Sequence, residues 1–273
     1  MESPANGSEN GKNVLSLHEV EFSYPGGKEH SPVLQKISLS VTRGEFLCVL
    51  GPSGCGKSTL LRLAAGLLKP VSGKIEADGR AVEGPDWHRG VIFQAPTLYA
   101  WLNVQDNVAF GLKMRKFPKN EIRELTSRYI RLVGLEGYEH YKPYELSGGM
   151  KQRVALARSL VNQPEILLMD EPFGALDALT RKNMQALIRT IWAETKNTVL
   201  MITHDVDEAL ALATRAVVMS GKPGRILTSC RPNFGERLFG KEGEKVRYDP
   251  NYMEMREKIL EVIFTQDGTR GCP

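Results

Sequence analysis

The sequence predicts an α/β fold in which a helical segment is inserted into a core sheet and an antiparallel β subdomain precedes that sheet. A run at residues 45–50 that is apolar after Glu45 leads into a glycine-rich loop, and residues 60–68 then repeat apolar side chains at helical spacing. Apolar runs return at residues 166–169 and 199–202, which predicts two further buried strands. Before these two runs, residues 104–160 have the apolar period of α-helices. This order of elements is typical of an α/β core.

The N-terminal part of the chain has the pattern of short strands. Apolar and polar residues alternate over residues 14–22 and again over residues 33–41, and Pro25-Gly26-Gly27 supplies a turn between them. Residues 72–79 have the pattern of a small hairpin strand. We expect these segments to form the antiparallel β subdomain. Residues 1–12 are polar and contain Gly, Ser and Asn, so we expect a disordered N-terminal tail there.

The glycine-rich loop has the pattern of a phosphate cradle: Gly, four residues, then Gly-Lys-Ser. Its glycines allow backbone N–H groups to turn toward phosphates, Lys57 brings a positive charge to the outer phosphates, and Ser58 offers a hydroxyl group to Mg²⁺. The N-terminus of the next helix also favours anions. The loop therefore predicts a P-loop NTPase core that binds a nucleoside triphosphate. The residues expected to contact the nucleotide here are Gly51, Pro52, Ser53, Gly54, Cys55, Gly56, Lys57, Ser58 and Thr59.

Two acidic residues follow the first returning strand. Asp170 and Glu171 come directly after the apolar residues 166–169, and a helix predicted over about residues 180–194 follows them. In open α/β sheets, ligands bind at the carboxyl ends of strands. Asp170 can hold Mg²⁺, usually through water, and Glu171 can orient or deprotonate an attacking water. Together with the phosphate loop, the pair predicts nucleotide hydrolysis.

Composition excludes several other classes of protein. The 273 residues carry a net charge of +4, with no block of basic residues interleaved with aromatic residues, so we expect no nucleic-acid partner. The four cysteines lack the spacing of a zinc site and the density of a disulfide framework, so we expect no disulfide. No run of about 18 apolar residues occurs, so we do not expect this chain itself to cross a membrane.

Residues 146–153 carry the pattern that points to a family. Ser147 is a good helix N-cap, and Gly148 and Gly149 expose N–H groups at the start of a helix, which makes an anion site without a cation of its own. The segment resembles the signature of the ATP-binding subunits of ABC transporters, with Met150 where the most frequent form has Gln. The resemblance covers most of the chain and implies a RecA-like core that binds and hydrolyses ATP with Mg²⁺.

The resemblance also implies roles for single residues. Gln94 is similar to the glutamine that reaches Mg²⁺ and the attacking water, and His204 to the switch histidine that contacts the γ-phosphate and positions the catalytic carboxylate. Asp177 resembles the acidic residue that lines the seam between two subunits. Tyr24 is similar to the aromatic residue that stacks on adenine, and Phe22 stays open as an alternative. The metal site implied in this way consists of Ser58, Gln94 and Asp170.

The family's architecture implies partners. Two ATP molecules are buried between two head-to-tail chains, so we expect a dimer with a second copy or with a paralogous ATPase. ATP binding would close this dimer, and hydrolysis would drive separate transmembrane permease subunits, with a solute-binding protein as an indirect partner. The chain would then lie peripherally on the cytoplasmic face of the bacterial inner membrane. The residues expected to contact the ATP of the other chain are Ser147, Gly148, Gly149 and Asp177.

Three segments indicate a branch of the family. Residues 101–108, 173–181 and 221–226 are similar to the nitrate, sulfonate, taurine and bicarbonate importers, which implies import of a small solute of that type. Tyr99-Ala100-Trp101 stands where this branch often has Leu-Pro-Trp, beside the groove that receives the permease. An ATPase subunit of an exporter with separate membrane subunits stays open as the alternative.

We expect one ATPase domain and an extension. The domain would span residues 13–228, with a core of residues 13–95 and 162–228 and a helical insertion of residues 96–161. Residues 229–273 would form a C-terminal extension with one amphipathic helix. The apolar positions of that helix are Tyr252, Met255, Ile259, Leu260 and Ile263.

Overall fold

Strands and helices follow one another closely in the computed structural model, which describes residues 12–25 and 32–266. The expected tail of residues 1–12 lies outside the described residues except for Lys12, whose Nζ is 2.8 Å from Asp78 Oδ1. The strands are β1 (Asn13–Phe22), β2 (Leu34–Thr42), β3 (Phe46–Leu50), β4 (Ser72–Ala77), β5 (Arg80–Ala81), β6 (Arg89–Ile92), β7 (Ile166–Asp170), β8 (Thr198–Ile202), β9 (Arg215–Met219) and β10 (Ile226–Cys230). The α-helices are α1 (Lys57–Ala64), α2 (Val104–Met114), α3 (Lys119–Leu132), α4 (Gly148–Leu160), α5 (Ala178–Thr195), α6 (Val206–Leu212), α7 (Gly235–Leu238) and α8 (Pro250–Gln266).

Four strands form an antiparallel sheet in the order β2-β1-β4-β5. Leu15 and Leu17 of β1 lie opposite Val41 and Leu39 of β2, and all four side chains are buried. Because side chains alternate between the two faces of a strand, the apolar and polar alternation places one face of this sheet in the core. The predicted antiparallel β subdomain is confirmed.

The second sheet has six strands in the order β10-β9-β3-β8-β7-β6. β3 pairs in parallel with β8 and β9, and β7 pairs in parallel with β6 and β8, whereas β10 is an antiparallel edge strand. The predicted P-loop NTPase core is confirmed. Because parallel strands end at the same edge of a sheet, the loops after β3, β8 and β7 lie side by side.

One core strand is not predicted by the sequence pattern. β9 lies directly beside β3, and its residues 216–219 are buried. Only residues 213 and 214 separate it from α6, which is itself largely buried. A short apolar run beside a buried helix has no period that distinguishes strand from helix. Pairing with β3, which is distant in sequence, decides its conformation.

Three helices, α2, α3 and α4, occupy the region of the expected helical insertion. Asn103 caps α2 by accepting a hydrogen bond from the backbone of Asp106 at 2.7 Å. The buried side chain of Asn107 accepts a hydrogen bond from Tyr99 N at 2.9 Å and donates one to Leu102 O at 3.1 Å. Asn107 therefore holds the loop that leads from the core sheet into the insertion.

Residues 229–266, where the sequence predicts an extension with one amphipathic helix, contain two short helices as well. α7 and a 3₁₀ helix at Gly243–Tyr248 precede α8, and both are too short to produce a visible apolar period. α8 packs on α6 and β9 and buries Tyr252, Ile259 and Ile263. Tyr252 donates a hydrogen bond to Asp207 Oδ1 at 2.7 Å, so the extension is fixed to the helix that follows His204.

Candidate functional site

The phosphate loop joins β3 to α1 and is open on one side. Gly54 and Gly56 have φ angles of 75° and 101°, in the left-handed region that favours glycine. Ser53 and Gly54 are exposed, whereas Cys55 is buried under the loop. The loop thus offers backbone groups to a ligand without large side chains in between, as a phosphate site requires.

Lys57 is held against its own loop. Its Nζ donates hydrogen bonds to Gly51 O at 2.7 Å and to Pro52 O at 2.9 Å, and the residue is only 6% exposed. A buried ammonium group needs such acceptors because burial removes its water. Phosphate oxygens are charged acceptors and bind an ammonium group more strongly than neutral carbonyl groups do. Lys57 is therefore positioned to exchange these carbonyl groups for phosphate oxygens.

Ser58 and Asp170 bring two oxygen ligands together at the N-terminus of α1. Ser58 Oγ donates a hydrogen bond to Asp170 Oδ1 at 3.1 Å. Burial raises the pKa of Asp170, and the hydrogen bond from Ser58 opposes this rise. Mg²⁺ prefers oxygen ligands and usually binds one or two carboxylates together with phosphate oxygens. The pair therefore fits a magnesium ion beside the phosphate loop.

Glu171 and His204 meet at the ends of the neighbouring strands β7 and β8. His204 Nδ1 lies 3.1 Å from Glu171 Oε2. The His204 side chain is 61% exposed and that of Glu171 is 22% exposed, so both can reach a ligand. Glu171 has a φ angle of 42°, and left-handed backbone at a residue other than glycine is found preferentially at functional sites. The arrangement places a carboxylate, a group that can accept a proton from water, in contact with the imidazole ring of His204.

Gln94 lies near the same carboxylate. It follows β6 and is exposed. A Cβ atom placed on Gly174 would be 3.1 Å from Gln94 Nε2 and 3.8 Å from Glu171 Oε2, so both side chains border Gly174. The amide of Gln94 and the carboxylate of Glu171 therefore face one small space at the edge of the sheet.

A buried glutamine that the sequence pattern does not single out holds together the two backbone segments that carry Gln94 and Glu171. Gln152 of α4 is 2% exposed, and its Nε2 donates hydrogen bonds to Pro172 O at 3.0 Å and to Phe93 O at 3.4 Å. It thereby joins the residue after Glu171 to the residue before Gln94. A polar residue in a helix is normally exposed, so only its place within residues 146–153 could have drawn attention to it.

Ser147 and Asp177 cap two adjacent helices. Ser147 Oγ accepts a hydrogen bond from Met150 N at 3.3 Å, and Asp177 Oδ1 accepts one from Thr180 N at 3.0 Å. Hydrogen bonds from Thr180 lower the pKa of Asp177. A Cβ atom on Gly149 would lie 2.4 Å from Thr180 Cγ2, so the N-termini of α4 and α5 touch. The N-terminus of α4, which a neutral serine caps, favours an anion, whereas the Asp177 carboxylate already caps the N-terminus of α5.

The structure distinguishes the two candidate aromatic residues. Phe22 is 5% exposed and belongs to the core of the antiparallel sheet, whereas Tyr24 is 44% exposed. The hydroxyl group of Tyr24 lies 3.1 Å from Thr59 Oγ1 in α1. Tyr24 therefore stands at the phosphate loop with ring surface available for stacking on a base.

Gly224 also contacts the phosphate loop, whereas the sequence pattern of residues 221–226 indicates only a branch of the family. Its N–H donates a hydrogen bond to Val33 O at 2.9 Å. A Cβ atom at this position would lie 2.2 Å from Cys55 O in the loop backbone. The residue is 169 positions from Cys55, and only the folded chain brings the two together.

Comparisons with known proteins agree with this geometry. The ABC transporter family matches residues 34–174. The chain is 45% identical over 255 residues to the Taurine import ATP-binding protein TauB of Roseobacter denitrificans, which covers 93% of this chain and 95% of that protein. It is 48% identical over 254 residues to the protein of the same name from Escherichia coli O157:H7, which covers 93% of this chain and 98% of that one.

Solved structures extend the likeness to the fold. The structure of cbiO1 from Clostridium perfringens, part of the ABC transporter complex cbiONQ, matches with a TM-score of 0.74 at 29% identity and covers 91% of this chain and 100% of that one. The dimeric post-hydrolysis state of the ATP-binding cassette MJ0796, bound to ADP and Pi, matches with a TM-score of 0.71 at 31% identity and covers 80% and 99%. The chain belongs to the ABC transporter family, as one of its ATP-binding cassette ATPases.

Proposed function

We propose that this chain is the ATP-hydrolysing subunit of an ABC importer for a small solute of the nitrate, sulfonate, taurine and bicarbonate type. The contact of 3.1 Å between Glu171 Oε2 and His204 Nδ1, at the same sheet edge as Ser58 and Asp170, carries the assignment of ATP hydrolysis. The names of the relatives favour import over the exporter alternative and make taurine the first solute to test.

ATP binding begins at the phosphate loop. Lys57 Nζ leaves its two carbonyl acceptors and binds phosphate oxygens, and the exposed ring of Tyr24 stacks on the base. Ser58, Asp170 and Gln94 would hold Mg²⁺, which neutralises charge on the phosphate oxygens when it is bound.

Hydrolysis depends on the residues at the ends of β7 and β8. Glu171 orients a water molecule toward the γ-phosphate and accepts its proton. His204 fixes the Glu171 carboxylate through the contact at Nδ1, and its exposed ring reaches the γ-phosphate. No protein atom has to form a covalent bond with phosphate, since positioning and charge stabilisation supply the catalysis.

A second copy, or a paralogous ATPase, completes each ATP site. Ser147, Gly148 and Asp177 are exposed at the paired N-termini of α4 and α5, and Gly149 permits the close approach of these helices. The N-terminus of α4 in this surface attracts an anion, and we assign it to the γ-phosphate held by the phosphate loop of the other chain. The ADP-bound relative MJ0796 is a dimer, which supports this arrangement.

The variant Glu171→Gln tests the hydrolytic site and the dimer together. It should bind MgATP, hydrolyse it at least about 100-fold more slowly than the wild type, and double its mass in light scattering when MgATP is added. A monomer at saturating MgATP with wild-type turnover would show that Glu171 is not the base.

A second substitution tests which surface of one chain contacts the ATP held by the other chain. Gly148→Glu, placed in the Glu171→Gln background, should abolish the dimer and leave MgATP binding to the monomer intact. A Cβ atom on Gly148 meets nothing within 4 Å among residues 12–25 and 32–266, so the added carboxylate acts on the partner. Gly84 is equally open, and Gly84→Glu serves as the matched control that should still dimerise.

A groove between the core and the helical insertion fits the permease. Its volume is about 630 Å³, and its lining includes Trp87 from the core side and Tyr99, Phe110 and Met114 from the other. The rings of Tyr99 and Phe110 lie 4.4 Å apart, and Arg158 lies 5.5 Å from the centre of the Tyr99 ring. Aromatic residues, methionine and arginine are enriched at protein interfaces. We assign this groove to a helix of the permease.

Co-purification from detergent-solubilised native membranes tests whether this groove binds the permease. Met114 is 63% exposed, and Met114→Asp should lose the permease while the isolated chain keeps its ATPase activity. Met253 is 47% exposed on α8, and Met253→Asp is the matched control that should retain the permease. Retention of the permease by Met114→Asp would place the docking surface elsewhere.

The proposal places the chain peripherally on the cytoplasmic face of the bacterial inner membrane, with a solute-binding protein on the other side. Within residues 12–25 and 32–266, no helix has both the length and the apolar character required to span a bilayer. In a strain that lacks this chain, the wild type should restore uptake of labelled taurine and Glu171→Gln should not. If the permease co-purifies but taurine uptake is not restored, taurine is excluded as the solute.

A further inference from the structure

A buried carboxyl group lies behind the turn that presents His204. Glu208 of α6 is 6% exposed, and its Oε2 accepts a hydrogen bond from Thr203 Oγ1 at 2.6 Å. Its Oε1 lies 3.4 Å from Gln185 Nε2, which donates to it from α5. Thr203 and Gln185 are buried as well, at 1% and 9% exposure. The three side chains form a buried hydrogen-bond network that joins α5, α6 and the residue that follows β8.

The same threonine fixes both sides of His204. Thr203 Oγ1 accepts a hydrogen bond from Asp205 N at 3.0 Å, while Thr203 N donates to Val49 O of β3 at 3.2 Å. The backbone before His204 is therefore tied to β3, and the backbone after it is tied to the Thr203 hydroxyl group. That hydroxyl group has its own proton directed to Glu208, so the carboxylate sets the orientation in which Thr203 can accept.

Helix capping alone does not account for this carboxyl group. Asp205 is the N-cap of α6, and an acidic residue three positions later commonly bonds back to the N–H of the cap. Here Asp205 N bonds to Thr203 instead, and the Glu208 side chain turns inward to Thr203 and Gln185. Burial of a carboxyl group is costly without such partners, and it raises the pKa of Glu208 to about 7. A costly buried group behind an active-site turn indicates a positional role.

We propose that Glu208 is a positioning residue for hydrolysis, whose buried carboxyl group fixes the turn that presents His204 to Glu171 and joins that turn to α5. Asp177, the residue assigned to the dimer seam, is the N-cap of α5, so the same contact connects the seam with the switch histidine. The inference rests on the proposed function, since it needs His204 to act on Glu171.

Steady-state ATPase assays on the full chain test this role. Glu208→Ala should lower kcat by about tenfold or more and leave the KM for MgATP within about twofold, because the phosphate loop is untouched. Glu208→Gln keeps an acceptor oxygen for Thr203 and should retain most of the turnover. Thr203→Val removes the hydroxyl group with little change of shape and should reproduce the loss, so the test remains if Glu208→Ala fails to fold.

A matched control removes a buried threonine hydroxyl group at the opposite end of β8. Thr198 is 2% exposed, and its Oγ1 accepts a hydrogen bond from Gly44 N at 3.1 Å. Thr198→Val should lower stability and leave kcat unchanged. An equal loss of kcat in Thr198→Val would show that any weakened bond at β8 slows turnover, which would overturn the specific role of Glu208.

A double-variant cycle separates positioning from general damage. If Glu208 acts through His204, Glu208→Ala should cause no further loss in a His204→Ala background, as followed by single-turnover hydrolysis. Equal fold losses in both backgrounds, or wild-type kcat in Glu208→Ala, would overturn the inference and leave the proposed function intact. Full turnover of His204→Ala alone would instead refute the role of His204 in the proposed function, and the positioning role with it.

Discussion

Replacement of Gly224 by alanine should damage ATP binding, although this residue lies outside every nucleotide motif of the chain. The added Cβ atom would lie 2.2 Å from Cys55 O, 2.9 Å from Met219 Cε and 3.0 Å from Leu34 Cδ2. The two side chains can yield by rotation, but the carbonyl group belongs to the backbone of the phosphate loop. The clash therefore falls on the loop itself.

The size of the effect follows from the distance. A carbon atom and a carbonyl oxygen approach to about 3.3 Å, so the loop backbone or Gly224 has to move by about 1 Å. Gly224 is held on both sides, because its N–H donates to Val33 O at 2.9 Å and its carbonyl group accepts from Gln35 N at 3.0 Å. Overpacking of this kind costs about 1–3 kcal/mol, and a displacement of about 1 Å in an active site can cost about 100-fold in rate.

Equilibrium binding of MgATP and steady-state hydrolysis measure this effect. Gly224→Ala should bind MgATP about 10- to 100-fold more weakly and lose most of the stabilisation that MgATP gives the wild type. Gly84→Ala is the matched control, because its Cβ atom would meet nothing within 4 Å in the part of the chain that the structure describes. Wild-type affinity and turnover in Gly224→Ala would show that the loop tolerates the displacement, and the reasoning from this contact would be refuted.

Two further predictions concern stability. The folded chain holds the pKa of Glu208 at about 7, above the ordinary 4.5, so the contribution of Glu208 to the free energy of unfolding should fall by about 3 kcal/mol as the pH rises from 4.5 to 7. Glu208→Gln should lack this loss in urea unfolding at pH 5 and pH 8, and an unchanged pH difference would contradict the assignment. Tyr252→Phe removes the hydrogen bond of 2.7 Å to Asp207 and should cost about 1.5–3 kcal/mol with ATPase activity retained, whereas Tyr248→Phe, at an 80% exposed site, should be neutral. Equal stability of the two tyrosine variants would show that the Asp207 contact does not hold the extension.

The contiguous motifs could be predicted because their chemistry is local. The loop from Gly51 to Thr59 needs glycine, lysine and serine at fixed spacing, and Ser147 caps a helix whatever lies around it. The apolar strand directly before Asp170 and Glu171 indicates that both carboxylates lie at the end of a core strand, where ligands bind. In each of these patterns the interacting residues are close in sequence, so the fold class and the phosphate site could be predicted from the sequence alone.

Other features depend on neighbours that are distant in sequence. Nothing local distinguishes Phe22 from Tyr24, and the packing of the antiparallel sheet is what buries the former and leaves the latter at Thr59. β9 similarly becomes a strand because β3 offers it a parallel partner. Short segments have weak intrinsic preferences, which tertiary contacts override.

The sequence by itself determined that this chain binds and hydrolyses a nucleotide on an α/β core, since each motif places charged and N–H groups within a few residues of one another. Only the tertiary structure decided which further residues contact and position the segments that carry the site. Gly224 under the phosphate loop, Gln152 between Phe93 and Pro172, and Glu208 behind His204 are all joined to the site by contacts between separate elements. The physical reason is that burial and hydrogen-bond partners are properties of packed surfaces, which exist only after strands and helices that are distant in sequence have come together.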